Sequence, residues 1–153
     1  MVSLLLSTSL LVSAGPKQKK VDNWIDASVK QKSELRASLV KANMPIMSAW
    51  IKAKQKAVPM SADLTGQDQL VLVTAAGPDG TDWDWGTWAN ARLIKADGSS
   101  VWLDELDPDY WVSGSGSIRK NTDLYGNPLL IGGKKYDHSV LCHANGVMVY
   151  NIN

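Results

Sequence analysis

The chain has 153 residues, 44% of them hydrophobic and 20% charged, with a formal net charge of +1 at pH 7. That balance excludes an intrinsically disordered chain and leaves room for one ordinary domain with extensions. A single cysteine, Cys142, excludes an intramolecular disulfide. No apolar run reaches the roughly 20 residues of a membrane-spanning helix.

The charge is unevenly divided. Residues 1–60 hold 10 Lys and Arg against 3 Asp and Glu, and residues 61–153 hold 6 against 12. A basic half can mark nucleic acid or an anionic membrane. Here the lysines are spread along the segment, so they read as a solvated face and no nucleic-acid partner is expected. The aromatic set is seven Trp, four Tyr and no Phe. Trp and Tyr combine an apolar face with a polar handle, which suits surfaces that stack and hydrogen-bond together. About half or more of the Trp residues are expected to fill the core instead.

In chain order, Leu4, Leu5, Leu6, Leu10, Leu11 and Val12 make a short apolar run, with Val12-Ser13-Ala14 supplying small residues before Gly15. Residues 1–14 therefore read as an export signal, although no Lys or Arg precedes the run, and the expected location is secreted or periplasmic. Residues 15–60 read as a helical segment or linker. Ile25, Val29, Leu35, Leu39 and Val40 recur at helical spacing, with charged residues on the other face. Pro45 divides the segment into helices over 22–43 and 45–57, the second with Ile46, Met47, Trp50 and Ile51 as its stripe.

From residue 61 onward the pattern is β. Gln69–Thr74 is apolar and β-branched. A strand over 88–95 turns at Ala96-Asp97-Gly98 into one over 100–103, a strong hairpin signal. Short strands follow over 129–131, 139–143 and 147–152, the spacing of a sandwich or barrel. Between them lie two loops that mix carboxylates with aromatics, GPDGTDWDWGTW and DELDPDYWVSGSGS. Pyranose rings stack their C–H faces on aromatics while their hydroxyls take charged partners. Trp83, Trp85, Tyr110 and Trp111 are candidate platforms, and Asp82, Asp84, Asp107 and Asp109 candidate hydroxyl partners.

Other chemistries find little support. The acids Asp79, Asp82 and Asp84 fall short of an EF-hand loop, so calcium is at most a weak expectation and no other cofactor is expected. His138 and His143 match no zinc pattern. Cys142, in an apolar strand beside His143, reads as a buried thiol and not a nucleophile. No phosphate loop or nucleophile elbow is present, and no carboxylate pair is marked out as that of a glycosidase. An enzyme is not expected.

The stretches DWGTWANARLIKADGS, LDEL and KNTDLYGNPLLIGGKKYDHSVLCHANGVMVYNIN are similar to the NPCBM family of carbohydrate-binding modules. Asp84, Trp88, Asp97, Gly98, Asn121, Gly126, Pro128, Leu129, Ile131, Gly133, Tyr136, His143 and Ala144 stand at its anchor positions. The resemblance covers about residues 64–153. It implies kinship with carbohydrate-binding module family 51, an origin beside bacterial glycoside hydrolases, and non-catalytic sugar binding, with galactose-containing glycans the expected partner.

The implied fold is mainly β: a galactose-binding-like β-sandwich (jelly roll) over 61–153, preceded by the α-helical segment. The sugar-contact set expected on this basis is Trp83, Asp84, Trp85, Tyr110, Trp111, Tyr136 and His138. Two positions depart from the family pattern, Ser115-Gly116 in place of Trp-Gly and Ser139 in place of Gly. Family members also continue beyond the VYNIN strand, so the sandwich is expected to be partial, a fragment whose last strand offers an unpaired edge for self-association. The alternative is a structural or assembly protein that uses the helical segment and has its sandwich completed by another chain.

Overall fold

The computed structural model describes residues 2–6, 10–14 and 46–152. They are mainly β, in antiparallel sheets. The first sheet contains β1 (Val2–Leu6), β4 (Val58–Ala62), β6 (Trp85–Ile94), β7 (Ser100–Trp102), β9 (Arg119–Lys120) and β12 (Ser139–His143). Its order is β4-β1-β6-β12-β9, with β7 pairing the far end of β6. The second sheet contains β2 (Leu10–Ala14), β3 (Ile46–Met47), β5 (Gln69–Thr74), β8 (Tyr110–Val112) and β13 (Gly146–Asn151), in the order β3-β2-β5-β13-β8. A separate hairpin joins β10 (Leu129–Ile131) to β11 (Lys134–Tyr136).

Alternation along these strands builds one core from both sheets. Trp88, Val140 and Cys142 of the first sheet form a buried cluster with Leu70, Leu72, Met148 and Tyr150 of the second. Met60 and Ala62 of β4 close it on one side, as does Leu103 of the short 3-10 turn Leu103–Glu105. The other faces of β5 and β13 carry Val71, Val73, Val147 and Val149, also fully buried. Strands buried on both faces read as unbroken apolar runs, which is why β5 and β13 were legible in the sequence. Among the described residues, Trp88 is the largest wholly buried side chain. Trp88→Ala is expected to cost about 3–5 kcal/mol, through lost transfer energy and the void left behind, measurable by denaturant unfolding.

The Asp97-Gly98 hairpin forms as expected. Gly98 takes φ +87°, and Asp97 Oδ1 accepts from the Ser99 amide at 2.8 Å and its hydroxyl at 2.7 Å. These bonds hold the Asp97 carboxyl below the usual carboxylate range. β6 begins at Trp85, three residues before the expected start, and carries a bulge. Ser3 pairs with Arg92 but Leu5 pairs with Ala89, and Asn90 absorbs the extra residue at φ +51°.

Two expectations change. The final strand is no edge: β13 pairs β5 along its whole length and β8 over Val147–Val149, because β8 returns beside it from a stretch expected to be loop. Residues 46–57 are not a helix. Ile46 and Met47 join the ladder of β2, and a local turn follows. There the Lys52 amide donates to Gln55 Oε1 at 2.7 Å, the Gln55 amide to the Lys52 carbonyl at 3.2 Å, and Lys54 takes φ +67°. These bonds stand in place of a helical ladder. The helix expected over 22–43 lies outside the described residues. Val2–Leu6 and Leu10–Ala14 pair as β1 and β2, one strand in each sheet.

Cys142 is wholly buried, its Sγ 3.3 Å from Thr74 Oγ1, and burial pushes its thiol pKa up to about 11. At pH 8 about one thiol in a thousand would be ionised. Ellman's reagent is expected to leave native protein unlabelled and to react fully once denaturant is added; rapid native labelling would contradict this burial.

Candidate functional site

The corner between β12 and β13 organises one end of the molecule. It spans only His143, Ala144, Asn145 and Gly146, yet it ties three loops together. The Ala144 amide donates to the Asp84 carbonyl at 2.8 Å, and Asn145 Oδ1 accepts from the Ala76 amide at 2.9 Å. The Gly114 amide donates to the His143 carbonyl at 3.1 Å, and the His143 amide to Ser113 Oγ at 3.1 Å. A Cβ on Gly114 would overlap the Ala144 carbonyl oxygen, and one on Gly146 would lie 2.6 Å from Cys142 Sγ. Only glycine allows these close approaches.

On this corner stands the 83–85 segment. Asp84 Oδ2 accepts from the Gly77 amide at 3.1 Å, so its carboxylate anchors the neighbouring turn. Trp85 meets the His143 ring edge-on at 5.0 Å and 82°. The His143 Nδ1–H donates to the Ala144 carbonyl at 2.6 Å, which fixes the ring that Trp85 rests on. Trp83 is different. It is 76% exposed and sits at φ +64° with its carbonyl accepting from the Trp85 amide at 3.0 Å. A bulky residue in the left-handed region costs of order 1–3 kcal/mol, and such residues cluster at functional sites.

Trp83, Asp84 and Trp85 form one wall of an open groove of about 590 Å³. The segment from Ile51 to Gln55 and the β10–β11 hairpin around Gly132 line it as well. The hairpin is fastened by Leu129, Ile131 and Tyr136, which pack against Ala89 of β6. The groove thus has an exposed indole, a second indole supported by His143, and polar groups from Lys52, Lys54, Gln55 and Thr87.

The structure brings together three of the seven expected contact residues, Trp83, Asp84 and Trp85. Tyr136 is 6% exposed, inside the apolar cluster beneath the hairpin, with Lys134 over its ring at 5.1 Å. Tyr110 and Trp111 lie on β8 in the second sheet; Trp111 is 41% exposed. His138 belongs to a separate cluster. Its Nδ1 is 3.0 Å from Asp104 Oδ2, and its ring stacks on Trp102 at 4.3 Å and 10°. Arg92 covers Trp102 at 5.3 Å, and Asn121 Nδ2 donates to Asp104 at 2.9 Å.

Of the other acids, Asp107 pairs with Lys120 at 2.6 Å, and Asp109 Oδ2 accepts from the Asn151 amide at 2.7 Å. Both fasten loops to strands, while Asp82 is exposed beside Trp83. Among the described residues, no three His, Cys, Asp or Glu side chains converge as a metal-ligand set. Among the same residues, no helix is long and apolar enough to cross a membrane.

Sequence reasoning missed Lys52, Lys54, Gln55 and Thr87. The first three fell in a segment whose apolar spacing imitates a helix. Thr87 is an alternating residue of a strand that was expected to start one position later.

The described residues thus form a mainly β fold with an indole-lined groove, the kind of concave aromatic surface that suits small-molecule binding. Comparison with known families narrows this. The model of the NPCBM/NEW2 domain matches residues 11–94 and 99–153. The chain belongs to that family, which is one of carbohydrate-binding domains. The match takes in most of β2 and all of β3 and β4, strands that begin before residue 61. No curated protein and no solved structure matches the chain.

Proposed function

We propose that the protein is a non-catalytic carbohydrate-binding module that takes galactose-containing glycans in the Trp83–Trp85 groove. The observation that carries this reading is the exposed Trp83 indole, held outward by a left-handed backbone at the mouth of the groove. A sugar ring stacks its C–H face on that indole, and its hydroxyls reach Gln55, Lys52 and Lys54. The shared core of the two sheets supports a galactose-binding-like β-sandwich. Carbohydrate-binding domains work on extracellular glycans, so we place the protein outside the cytoplasm, secreted or periplasmic, alongside glycoside hydrolases.

Tryptophan fluorescence titrated with galactosides tests the reading. A saturable shift, with no reducing sugar released over hours, is expected. Product release from a chromogenic galactoside, or a flat titration across neutral and charged galactosides, would overturn it.

A further inference from the structure

Resting on the carbohydrate reading above, we propose that the glycan taken by this groove is anionic, a galactoside polymer bearing carboxylate or sulfate groups. The lining that holds Trp83 also includes Lys52 and Lys54. Lys56 follows immediately, its Cα 3.1 Å from the position of a Cβ on Gly132. That contact seats the lysine segment against the hairpin. Gly132 makes it possible by having no side chain and by taking φ +57°.

The other described lysines near the site are already engaged. Lys135 pairs with Asp137 at 2.6 Å and holds that carboxyl below its usual range. Lys134 lies over Tyr136, and Lys120 pairs with Asp107. Lys52, Lys54 and Lys56 have no carboxylate partner among the described residues.

Among the described residues the one acid lining the groove is Asp84, whose Oδ2 accepts from the Gly77 amide. The groove therefore combines two lysines with two indoles in one lining. Its lysines come from the basic stretch before residue 61, while its indoles lie in residues 61–153, where acids outnumber bases 12 to 6. Neutral sugars are usually held by paired donors and acceptors, and an ammonium only donates. A uronate or sulfate gives each ammonium a charge-assisted bond while the pyranose face still stacks on Trp83. An acidic peptide would satisfy the lysines but has no ring to place on the indole.

Affinity electrophoresis and calorimetry on the full chain test this. The probes are polygalacturonate, a sulfated galactan, neutral galactan and poly-glutamate. Expected is binding to one or both anionic glycans at least about tenfold tighter than to galactan, weakening as salt rises. The double variant Lys52→Gln/Lys54→Gln is expected to lose that preference, a drop of about tenfold for the pair of lysines, and to melt like the parent because both side chains are exposed.

The two anionic probes separate carboxylate from sulfate recognition. Equal binding of galactan and the anionic glycans, unaffected by the double variant, would overturn the charge inference and leave the carbohydrate reading standing. Poly-glutamate binding as tightly as the glycans would also overturn it. Binding to none of the four probes would overturn both.

Discussion

Deleting residues 1–14 is expected to abolish cooperative folding. β1 pairs five residues with β4 and borders β6 on its other side. β2 pairs five residues with β5 and is the strand on which β3 is built. β4 has no other neighbour in its sheet, so its loss from the ladder also detaches Met60 and Ala62 from the core. The edges of β5 and β6 would then expose unpaired backbone groups, each costly unless water or another chain satisfies it. A stability of about 5–15 kcal/mol does not survive the loss of two ladders and part of a core.

Circular dichroism melts of the full chain and of 15–153 check this. A sharp transition in the shortened chain would contradict the strand assignment and favour the export signal. Sequencing the N-terminus of the protein recovered from the cells that make it separates the same alternatives: a start at Gly15 means cleavage, and retention of Val2–Leu6 means strands.

Trp83→Ala is expected to separate binding from stability. The side chain is 76% exposed, so its removal should change unfolding free energy by no more than about 0.5 kcal/mol. Loss of the stacking surface should cost about 2 kcal/mol or more of binding, a drop of about thirtyfold. Trp85→Ala should behave otherwise, because that ring also packs on His143. It is expected to lower both affinity and melting temperature. Calorimetric titration beside a thermal melt reads the two effects together. An affinity unchanged in Trp83→Ala would remove this groove from consideration.

The two variants also show how much of the site was legible beforehand. The Trp83-Asp84-Trp85 triplet stood out because indoles and carboxylates mixed in a Gly-rich loop have no place in a strand or helix pattern. Its division of labour was hidden. Exposing Trp83, resting Trp85 on His143 and turning Asp84 onto Gly77 depend on residues up to 69 positions apart that meet at the Ala144–Asn145 corner. Tyr136 and His138 sit in an equally aromatic stretch. Yet one ring is buried under the hairpin, and the other stacks on Trp102 over a bond to Asp104.

By itself the sequence determined that the protein is mainly β, that its interior strands include Gln69–Thr74 and Ser139–His143, and that the chain turns at Asp97-Gly98. Those are local properties, set by side-chain alternation and turn chemistry within a few residues. Only the tertiary structure decided three further things: that the last strand lies between β5 and β8, that the N-terminal apolar runs enter both sheets, and that residues 51–55 form a wall of the groove. Each depends on pairing between distant segments. A short apolar run has the same composition whether it pairs in a sheet, coils as a helix or crosses a membrane during export, and its partner is what separates these fates.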